Sequence, residues 1–395
     1  MSVSSSFHPP LSLLSAYQEH FKSSPRWVRA PGRINLIGEH TDYNLGYVFP
    51  AAIDRFMWLG FGESKTEGIT VVAADLNEKA HFLPGSFDDH ARGWLKYLQA
   101  LIMEAQAKGL EIPSMEGVLG GNIPVGAGLS SSAAMGTGLI YWIYLHNGRE
   151  INLMDIARIA QAAEHRIGVN CGIMDQFAVL HGKSGQAVRL DCLNLSFQYA
   201  PLDLDEYLLV LINTNVKHEL SGTAYNDRRA SCEQIVAALK DLEPGVKTLR
   251  DVTENMIEKH RDALDPEGIQ RVTFVLRENA RVLATSVALE NGEYDLFGEL
   301  LYQSHEGLSQ EYEVSCGELD LLVELAKEEP AVLGARMVGG GFGGCTLNLM
   351  LRSQWEETSA RMAATYQSQT GLVPDIYPVT AADGVGEWLE ETVNA

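Results

Sequence analysis

The sequence lacks any long apolar run, and its first residues lack the pattern of a secretory signal. No stretch approaches the roughly 18 uninterrupted apolar residues that a membrane-spanning helix requires. The N-terminus, MSVSSSFHPP, has no basic region followed by an apolar run, the pattern of a secretory signal. We therefore expect a soluble protein that stays in the cytoplasm.

Cysteine is scarce as well. The chain has 5 cysteines, an odd number, with no CxxC pair and no histidine cluster at zinc-finger spacing. This pattern argues against both a disulfide framework and a structural zinc site. We expect reduced thiols.

Basic residues are few: 30 Lys and Arg stand against 52 Asp and Glu, for a formal net charge of -22. Such a balance argues against a protein that neutralises phosphates along a polynucleotide or coats an anionic membrane. A small anionic substrate stays possible, because it needs only a local pocket of backbone N–H groups and one or two cations. We expect no nucleic acid, no membrane and no obligate protein partner.

The length of the chain predicts two lobes. A single hydrophobic core rarely grows beyond roughly 250–300 residues, and this chain has 395 residues, of which 46% are hydrophobic. We place the boundary loosely between residues 180 and 210, which gives an N-terminal lobe 1–205 and a C-terminal lobe 206–395. The mixture of strand-like and helical segments predicts an α+β fold.

Local patterns predict the main elements of that fold. A short strand over 27–30 should stop at Pro31-Gly32. Further predicted strands cover 46–61, 69–83, 186–191, 208–213, 334–338 and 346–351. Predicted helices cover 11–22, 93–108, 131–146, 153–167, 226–241, 268–290, 293–308, 317–329 and 353–370.

The first segment that carries chemistry is RAPGRINLIGEHTDYNLGYVFPAAI, residues 29–53. Arg33, Glu39, His40 and Asp42 gather four polar side chains around an apolar pair. Carboxylates accept hydrogen bonds from hydroxyls and histidine can donate or accept, so this cluster suits a polyhydroxyl ligand. On pattern alone, a surface turn with solvated charges explains it equally well.

The second segment is GGNIPVGAGLSSSAAM, residues 120–135. Glycines expose backbone N–H groups and the serines begin a helix, which together favour an anion such as a triphosphate. It is not a Walker A loop, since no lysine stands where that motif requires one, and GxSxG is absent. The alternative is a glycine-rich connector with serine caps.

Two acids and a glycine run complete the candidate features. Glu164, at the edge of a predicted apolar helix face, and Asp175, in NCGIMDQF, suit a Mg²⁺ ligand and a group that orients or deprotonates a hydroxyl. Each alone is also explained as a solvated acid. The run MVGGGFGGCTLNLM, residues 337–350, indicates either a close backbone approach or a hinge.

Taken together, these segments resemble the three ordered motifs of the GHMP kinases, and GRINLIGEHTDYN closely matches the signature of the galactokinases among them. The resemblance runs from about residue 30 to 349 and includes CGIMDQF and SGTAYNDRRASCE. It implies a two-lobed GHMP kinase fold, with an N-terminal lobe like domain 2 of ribosomal protein S5, a ferredoxin-like C-terminal lobe, and the active site between them.

The resemblance also assigns roles to residues. Asp175 matches the proposed catalytic base and Arg33 the cation beside it, while Ser132 and Glu164 should hold Mg²⁺. Trp94 stacks on adenine or, as the alternative, packs in the core. The sugar-binding residues are Glu39, His40, Asp42, Gly172 and Tyr225. The residues around the ATP phosphates are Gly126, Ala127, Gly128, Leu129, Ser130, Ser131 and Ser132.

The activity implied is ATP-dependent phosphorylation of D-galactose at its C1 hydroxyl, giving galactose 1-phosphate and ADP. One alternative is a kinase for N-acetylgalactosamine or a related pyranose. A second is a galactose and ATP sensor without catalysis, although the Ser131–Ala134 stretch that such sensors lack in part is complete here. Tyr47 and Phe49, near the expected sugar site, and the stretch 62–92, in the expected loop over the nucleotide, depart from the family pattern.

Overall fold

The computed structural model describes residues 8–124, 126–202, 204–216 and 221–389. Its strands are β1 (Arg26–Asn35), β2 (Tyr47–Val48), β3 (Pro50–Glu63), β4 (Ile69–Ala73), β5 (Glu78–Phe82), β6 (Met115–Gly121), β7 (Gln186–Asp191), β8 (Phe197–Pro201), β9 (Tyr207–Asn213), β10 (Val332–Met337), β11 (Cys345–Leu351), β12 (Asp375–Val379) and β13 (Gly386–Trp388). Its helices are α1 (Leu11–His20), α2 (Gly93–Ala107), α3 (Ser131–His146), α4 (Leu153–Arg166), α5 (Met174–His181), α6 (Ser221–Leu242), α7 (Glu254–Lys259), α8 (Pro266–Asn291), α9 (Tyr294–Gln310), α10 (Gly317–Glu328) and α11 (Trp355–Thr370).

The first sheet has the strand order β13-β1-β3-β6-β4-β5. Strands β4 and β6 pair in parallel, and the other neighbours are antiparallel. Side chains alternate between its two faces. Val28, Leu59 and Phe61 join the core beneath α2–α5, whereas Trp27 and Trp58 pack with α1 on the other face. The sheet is therefore covered on both sides.

The second sheet, β10-β11-β9-β12, is antiparallel and packs with α10 and α11. A third, small sheet joins β2, β7 and β8. The large core under α2–α5 also includes buried residues of β9, β11, α8 and α9, so both halves of the chain contribute to it.

Most predicted helices are found within a few residues of their predicted bounds, because caps and apolar periodicity are local signals. Asn152, for example, caps α4 by accepting a hydrogen bond from the Asp155 backbone N–H. The strand expected to stop at Pro31-Gly32 instead continues to residue 35, with a register shift between those two residues. The predicted strand 69–83 is a hairpin whose turn includes Asn77 at φ 52°.

The predicted lobe boundary at 205/206 stays a prediction. Strand β13, from the end of the chain, pairs with β1 at the edge of the first sheet. All 5 cysteines are free thiols. In the part of the chain that the structure describes, no helix has the length and apolarity to cross a membrane.

Candidate active site

Segments far apart in the sequence meet around a cavity of about 170 Å³. They come from β1 and the turn that follows it, the start of α3, the end of α4, the start of α5 and the loop after β10. Tyr225 on α6 completes the wall. The lining residues are Arg33, Glu39, His40, Asp42, Ser132, Glu164, Val169, Cys171, Gly172, Met174, Asp175, Tyr225, Gly339 and Gly340.

The turn between β1 and β2 brings three predicted residues, Glu39, His40 and Asp42, to this cavity. His40 itself has a positive φ of 62°, a left-handed conformation that reverses the chain. The Thr41 hydroxyl lies 2.8 Å from the Gly38 carbonyl oxygen and 2.6 Å from that of Tyr47, which closes the turn. The local hydrogen bonds explain why a contiguous segment presents its polar side chains together.

Asp175 and Arg33 form the ion pair expected from the sequence. Arg33 donates from Nε to Oδ1 at 2.8 Å and from Nη2 to Oδ2 at 2.9 Å. The Ser130 hydroxyl donates to Oδ2 at 2.5 Å, and Arg33 Nη1 is anchored on the Gly128 carbonyl oxygen. Asp175 also lies in the first turn of α5, where a helix favours negative charge. The carboxylate is thus fixed in position by charged and neutral donors.

Asp42 lies against the backbone of Gly172. A Cβ added to Gly172 would fall 2.0 Å from Asp42 Oδ2, so this close approach requires glycine. Burial raises the pKa of Asp42 to about 7, with the negative charge of Asp175 as a second cause. Two predicted sugar-site residues are therefore in contact, one through its side chain and one through its backbone.

His40 is held among aromatic rings. Its Nδ1 lies 2.7 Å from the Tyr43 hydroxyl, and its ring centroid is 5.3 Å from that of Tyr225. Burial lowers the pKa of His40 to about 3, although the Gly340 backbone acts in the opposite direction. The imidazole is therefore neutral near pH 7. Its buried Nε2 makes no hydrogen bond of good geometry with the described residues, so a polar ligand atom would satisfy it.

Glu39 joins the signature segment, residues 29–53, to the glycine run, residues 337–350. One of its partners is Arg336, a residue that was not predicted. The Glu39 Oε1 atom lies 2.9 Å from Nη2 of the fully buried Arg336 and accepts from the Gly339 N–H at 2.8 Å. Asn35 Nδ2 donates to Oε2 at 3.0 Å. The sequence signal that could have predicted this pair is a single arginine within an apolar predicted strand, because a buried charge requires a partner.

The Gly/Ser loop leads directly into α3. Gly126, Gly128 and Ser130 have positive φ values of 75°, 76° and 58°. The side chains of Ala127 and Leu129 are buried in the core, so these two residues could offer a ligand only their backbone groups. Left-handed turns followed by a helix N-terminus expose backbone N–H groups, the arrangement that binds anions.

Glu164 and Ser132 lie together beside Asp175. Glu164 is buried, which raises the pKa of its carboxyl, and it accepts hydrogen bonds from Ser132, Cys171 and Gln176. Within the described ranges no three or more His, Cys, Asp and Glu residues cluster as metal ligands. Mg²⁺ is commonly held by one or two carboxylates plus substrate phosphates, and this oxygen-rich pair fits such an ion.

A second, mostly apolar cavity of about 610 Å³ shares Ser132, Glu164 and Val169 with the first. Trp94 lines it and donates from Nε1 to Glu78 Oε2 at 2.5 Å. Other lining residues include Tyr97, Leu119, Ile123, Ser131, Met135 and Ile167. The predicted metal ligands thus stand between a polar cavity and an apolar one.

Comparison with known families matches three parts of the chain. The galactokinase galactose-binding signature matches residues 15–62. The GHMP kinases N terminal domain matches residues 94–183, and the GHMP kinases C terminal domain matches residues 285–363. These matches confirm the predicted two-lobed GHMP kinase fold.

Similar proteins cover nearly the whole chain. A galactokinase of Thermosipho africanus is 41% identical over 91% of this chain and 98% of its own. A galactokinase of Roseiflexus sp. is 37% identical over 96% of this chain and 97% of its own. The crystal structure of Lactococcus lactis galactokinase complexed with galactose has a TM-score of 0.89 at 30% identity, covering 94% of this chain and 98% of its own. The mevalonate kinase of Methanococcus jannaschii, at 17% identity and a TM-score of 0.66, shares the fold. This chain belongs to the galactokinase family of the GHMP kinases.

Proposed function

We propose that this protein transfers the γ-phosphoryl group of ATP to the C1 hydroxyl of D-galactose, giving galactose 1-phosphate and ADP. The observation that carries the proposal is the meeting of the galactokinase signature segment with the Asp175–Arg33 pair around one polar cavity. Family membership and the likeness to a galactokinase that binds galactose support the same conclusion. We further propose that it acts in the cytoplasm, where ATP is present and its free thiols stay reduced.

In this proposal the polar cavity holds the sugar. The carboxylates of Glu39 and Asp42 accept hydrogen bonds from sugar hydroxyls, and Gly172 contributes its backbone. His40 and Tyr225 supply a neutral imidazole and a phenol on the same wall. Asp42 binds the sugar in its ionised form, because both oxygens of an ionised carboxylate accept hydrogen bonds from hydroxyls.

Asp175 acts on the attacking hydroxyl. Its carboxylate accepts the hydroxyl proton or orients that hydroxyl toward the phosphorus atom, and loose phosphoryl-transfer transition states are compatible with either. Arg33 holds the carboxylate and adds positive charge where the transferred phosphoryl group gathers negative charge.

ATP is proposed to lie across the second cavity and the Gly/Ser loop. Trp94 and the apolar lining accommodate the adenine ring by stacking and dispersion contacts. Backbone N–H groups of residues 126–132 receive the phosphates at the start of α3. Ser132 and Glu164 would hold Mg²⁺, which neutralises phosphate charge during transfer.

A coupled assay of ADP release over a panel of sugars tests the proposal. The panel contains galactose, 2-deoxygalactose, N-acetylgalactosamine, glucose and arabinose. Galactose should give the highest kcat/KM, and the product should carry phosphate on C1, as identified by ³¹P NMR. Faster turnover of N-acetylgalactosamine would move the assignment to that sugar, and binding of galactose without ADP release would indicate a sensor.

A further inference from the structure

A chain of buried hydrogen-bonding groups extends from His40 away from the cavity. The Tyr43 hydroxyl lies 2.7 Å from His40 Nδ1 and 2.9 Å from the Tyr312 hydroxyl. The Tyr312 hydroxyl in turn lies 3.6 Å from the Cys232 sulfur. Neither Tyr43, Tyr312 nor Cys232 lines the polar cavity. Sequence patterns gave no reason to join residue 40 to residue 312.

Burial keeps all four of these hydrogen-bonded side chains neutral near pH 7. The pKa values of both tyrosines are raised well above the ordinary value, first by burial, and that of His40 is lowered by burial. A neutral imidazole carries one N–H donor and one acceptor nitrogen. The direction of the hydrogen bond at Nδ1 therefore decides whether Nε2 donates or accepts.

The chemistry of the two groups favours one direction. A phenol is a stronger acid than a neutral imidazole N–H, and an imidazole nitrogen is a stronger base than a phenol oxygen. The bond is therefore better made with Tyr43 as donor and His40 Nδ1 as acceptor. The Tyr312 hydroxyl then donates to the Tyr43 oxygen, which is a better acceptor than the thiol sulfur of Cys232.

The lining of the cavity also agrees with a proton on Nε2. The carboxylates of Asp42 and Asp175 make the cavity rich in acceptors, while the Arg33 guanidinium is engaged by Asp175 and a backbone carbonyl. A sugar hydroxyl both donates and accepts, so the cavity needs a donor as well.

We propose that Tyr43 and Tyr312 are positioning residues that hold His40 in the tautomer protonated on Nε2, so that this nitrogen donates a hydrogen bond to a sugar oxygen. The donation to the sugar rests on the proposed function. The tautomer itself does not, because it is set by residues outside the cavity and exists before any sugar binds.

The first test measures the tautomer directly. Protein labelled with ¹⁵N-histidine is recorded by two-bond ¹H–¹⁵N correlation NMR without sugar, and the His40 signals are assigned by their loss in His40→Gln. We expect Nε2 to carry the proton and Nδ1 to show the shift of a hydrogen-bonded acceptor. A proton on Nδ1 overturns the proposal. The measurement stands whichever sugar the enzyme uses.

The second test removes the donor hydroxyls. Tyr43→Phe should move the Nδ1 signal toward that of a free acceptor and raise the KM for galactose about fivefold, the effect of one hydrogen bond. The kcat of Tyr43→Phe should stay within about twofold of the wild-type value, because the hydrogen-bonded groups from His40 to Cys232 contact neither the phosphoryl group nor Asp175. Tyr312→Phe should shift the same signal by less. An unchanged signal and KM in Tyr43→Phe overturns the proposal.

Tyr302→Phe is the matched control. The Tyr302 hydroxyl is buried and has no hydrogen-bond partner among the described residues, and it belongs to the core near the second sheet. Its loss should change neither the His40 signals nor the galactose KM. If Tyr43→Phe does not fold, the wild-type tautomer and Tyr312→Phe decide the question. Failure of galactose turnover in the wild type, with Nε2 protonated, would reject only the proposed substrate.

Discussion

At the scale of single residues, Asp175 is the group whose loss should separate chemistry from binding. It is oriented by Arg33 and Ser130. We expect Asp175→Ala to lower galactose-dependent ADP release by ~10²–10⁴-fold, the usual contribution of a general base, while calorimetry still detects galactose binding. Asp241→Ala, at an exposed position of α6, is the control. Normal turnover in Asp175→Ala would remove Asp175 from the mechanism.

Ser132 belongs to the same scale, because its proposed role depends on one hydroxyl oxygen. Ser132→Ala leaves the Glu164 carboxylate in place but deletes a neutral ligand, so the Mg²⁺ concentration for half-maximal rate should rise about fivefold. Titration of MgCl₂ at fixed ATP gives this value. Ser184→Ala, an exposed serine, should match the wild type. An unchanged Mg²⁺ requirement in Ser132→Ala would count against the ligand.

Asp42 makes a prediction about pH. Its pKa rises from 3.8 to about 7 on folding, first through burial and then through Asp175. Between those values the native state holds a proton that the unfolded chain has lost, so this group's contribution to stability falls as the pH rises through that window. Thermal unfolding from pH 5 to 8 should be less pH-dependent in Asp42→Asn than in the wild type. Parallel curves would show that Asp42 does not titrate there.

At the scale of elements, helix α8 clamps the turn that follows β1. Glu278 is fully buried and accepts hydrogen bonds from the Gly38 N–H at 2.9 Å, Ser304 Oγ at 2.7 Å and Arg281 Nε at 2.6 Å. Neighbouring Asn279 accepts from the Tyr47 N–H at 2.7 Å. The signature segment therefore takes its shape from a helix more than 200 residues further along the chain.

Removing the Glu278 side chain tests this clamp. Glu278→Ala leaves Arg281 without its buried partner and should lower the free energy of unfolding by about 3–5 kcal/mol. The galactose KM should rise too, since the signature turn loses its anchor. Urea denaturation and the coupled assay measure the two effects. Glu290→Ala, an exposed position of the same helix, is the control, and equal stability of the two variants would argue against the clamp.

Helices were predicted better than strands, for a physical reason. The α4 bounds followed from the cap at Asn152 and an apolar stripe, both local in sequence. Strand β1 runs through Pro31-Gly32 because its partner β3 accommodates a register shift there, and Gly32 packs closely on the Leu129 carbonyl oxygen. The short strand β13 was missed, since pairing with a distant strand creates it.

At the scale of the whole molecule, strand β13, near the C-terminus, forms one edge of the first sheet. Trp388 pairs with Trp27 across β13 and β1. Truncation after Thr380 removes this edge strand and should lower the free energy of unfolding by roughly 2–3 kcal/mol, from a few backbone hydrogen bonds of about 1 kcal/mol each. Urea denaturation measures the loss, and truncation after Leu389 is the control. Equal stability of both truncations would show that β13 contributes little.

The contiguous motifs were enough to predict the family, the fold class and the candidate residues, because a polar turn, a helix N-terminus and a glycine run are local features. Only the tertiary structure decided how those residues are bonded. Ser130 donates to Asp175, Arg336 pairs with Glu39, and Tyr43 reaches Tyr312 across 269 positions. Such pairs depend on how sheets and helices pack, and the spacing of residues in the sequence does not show which distant residues come into contact. The signature segment thus predicted the sugar site, and contacts from the second half of the chain give that segment its shape.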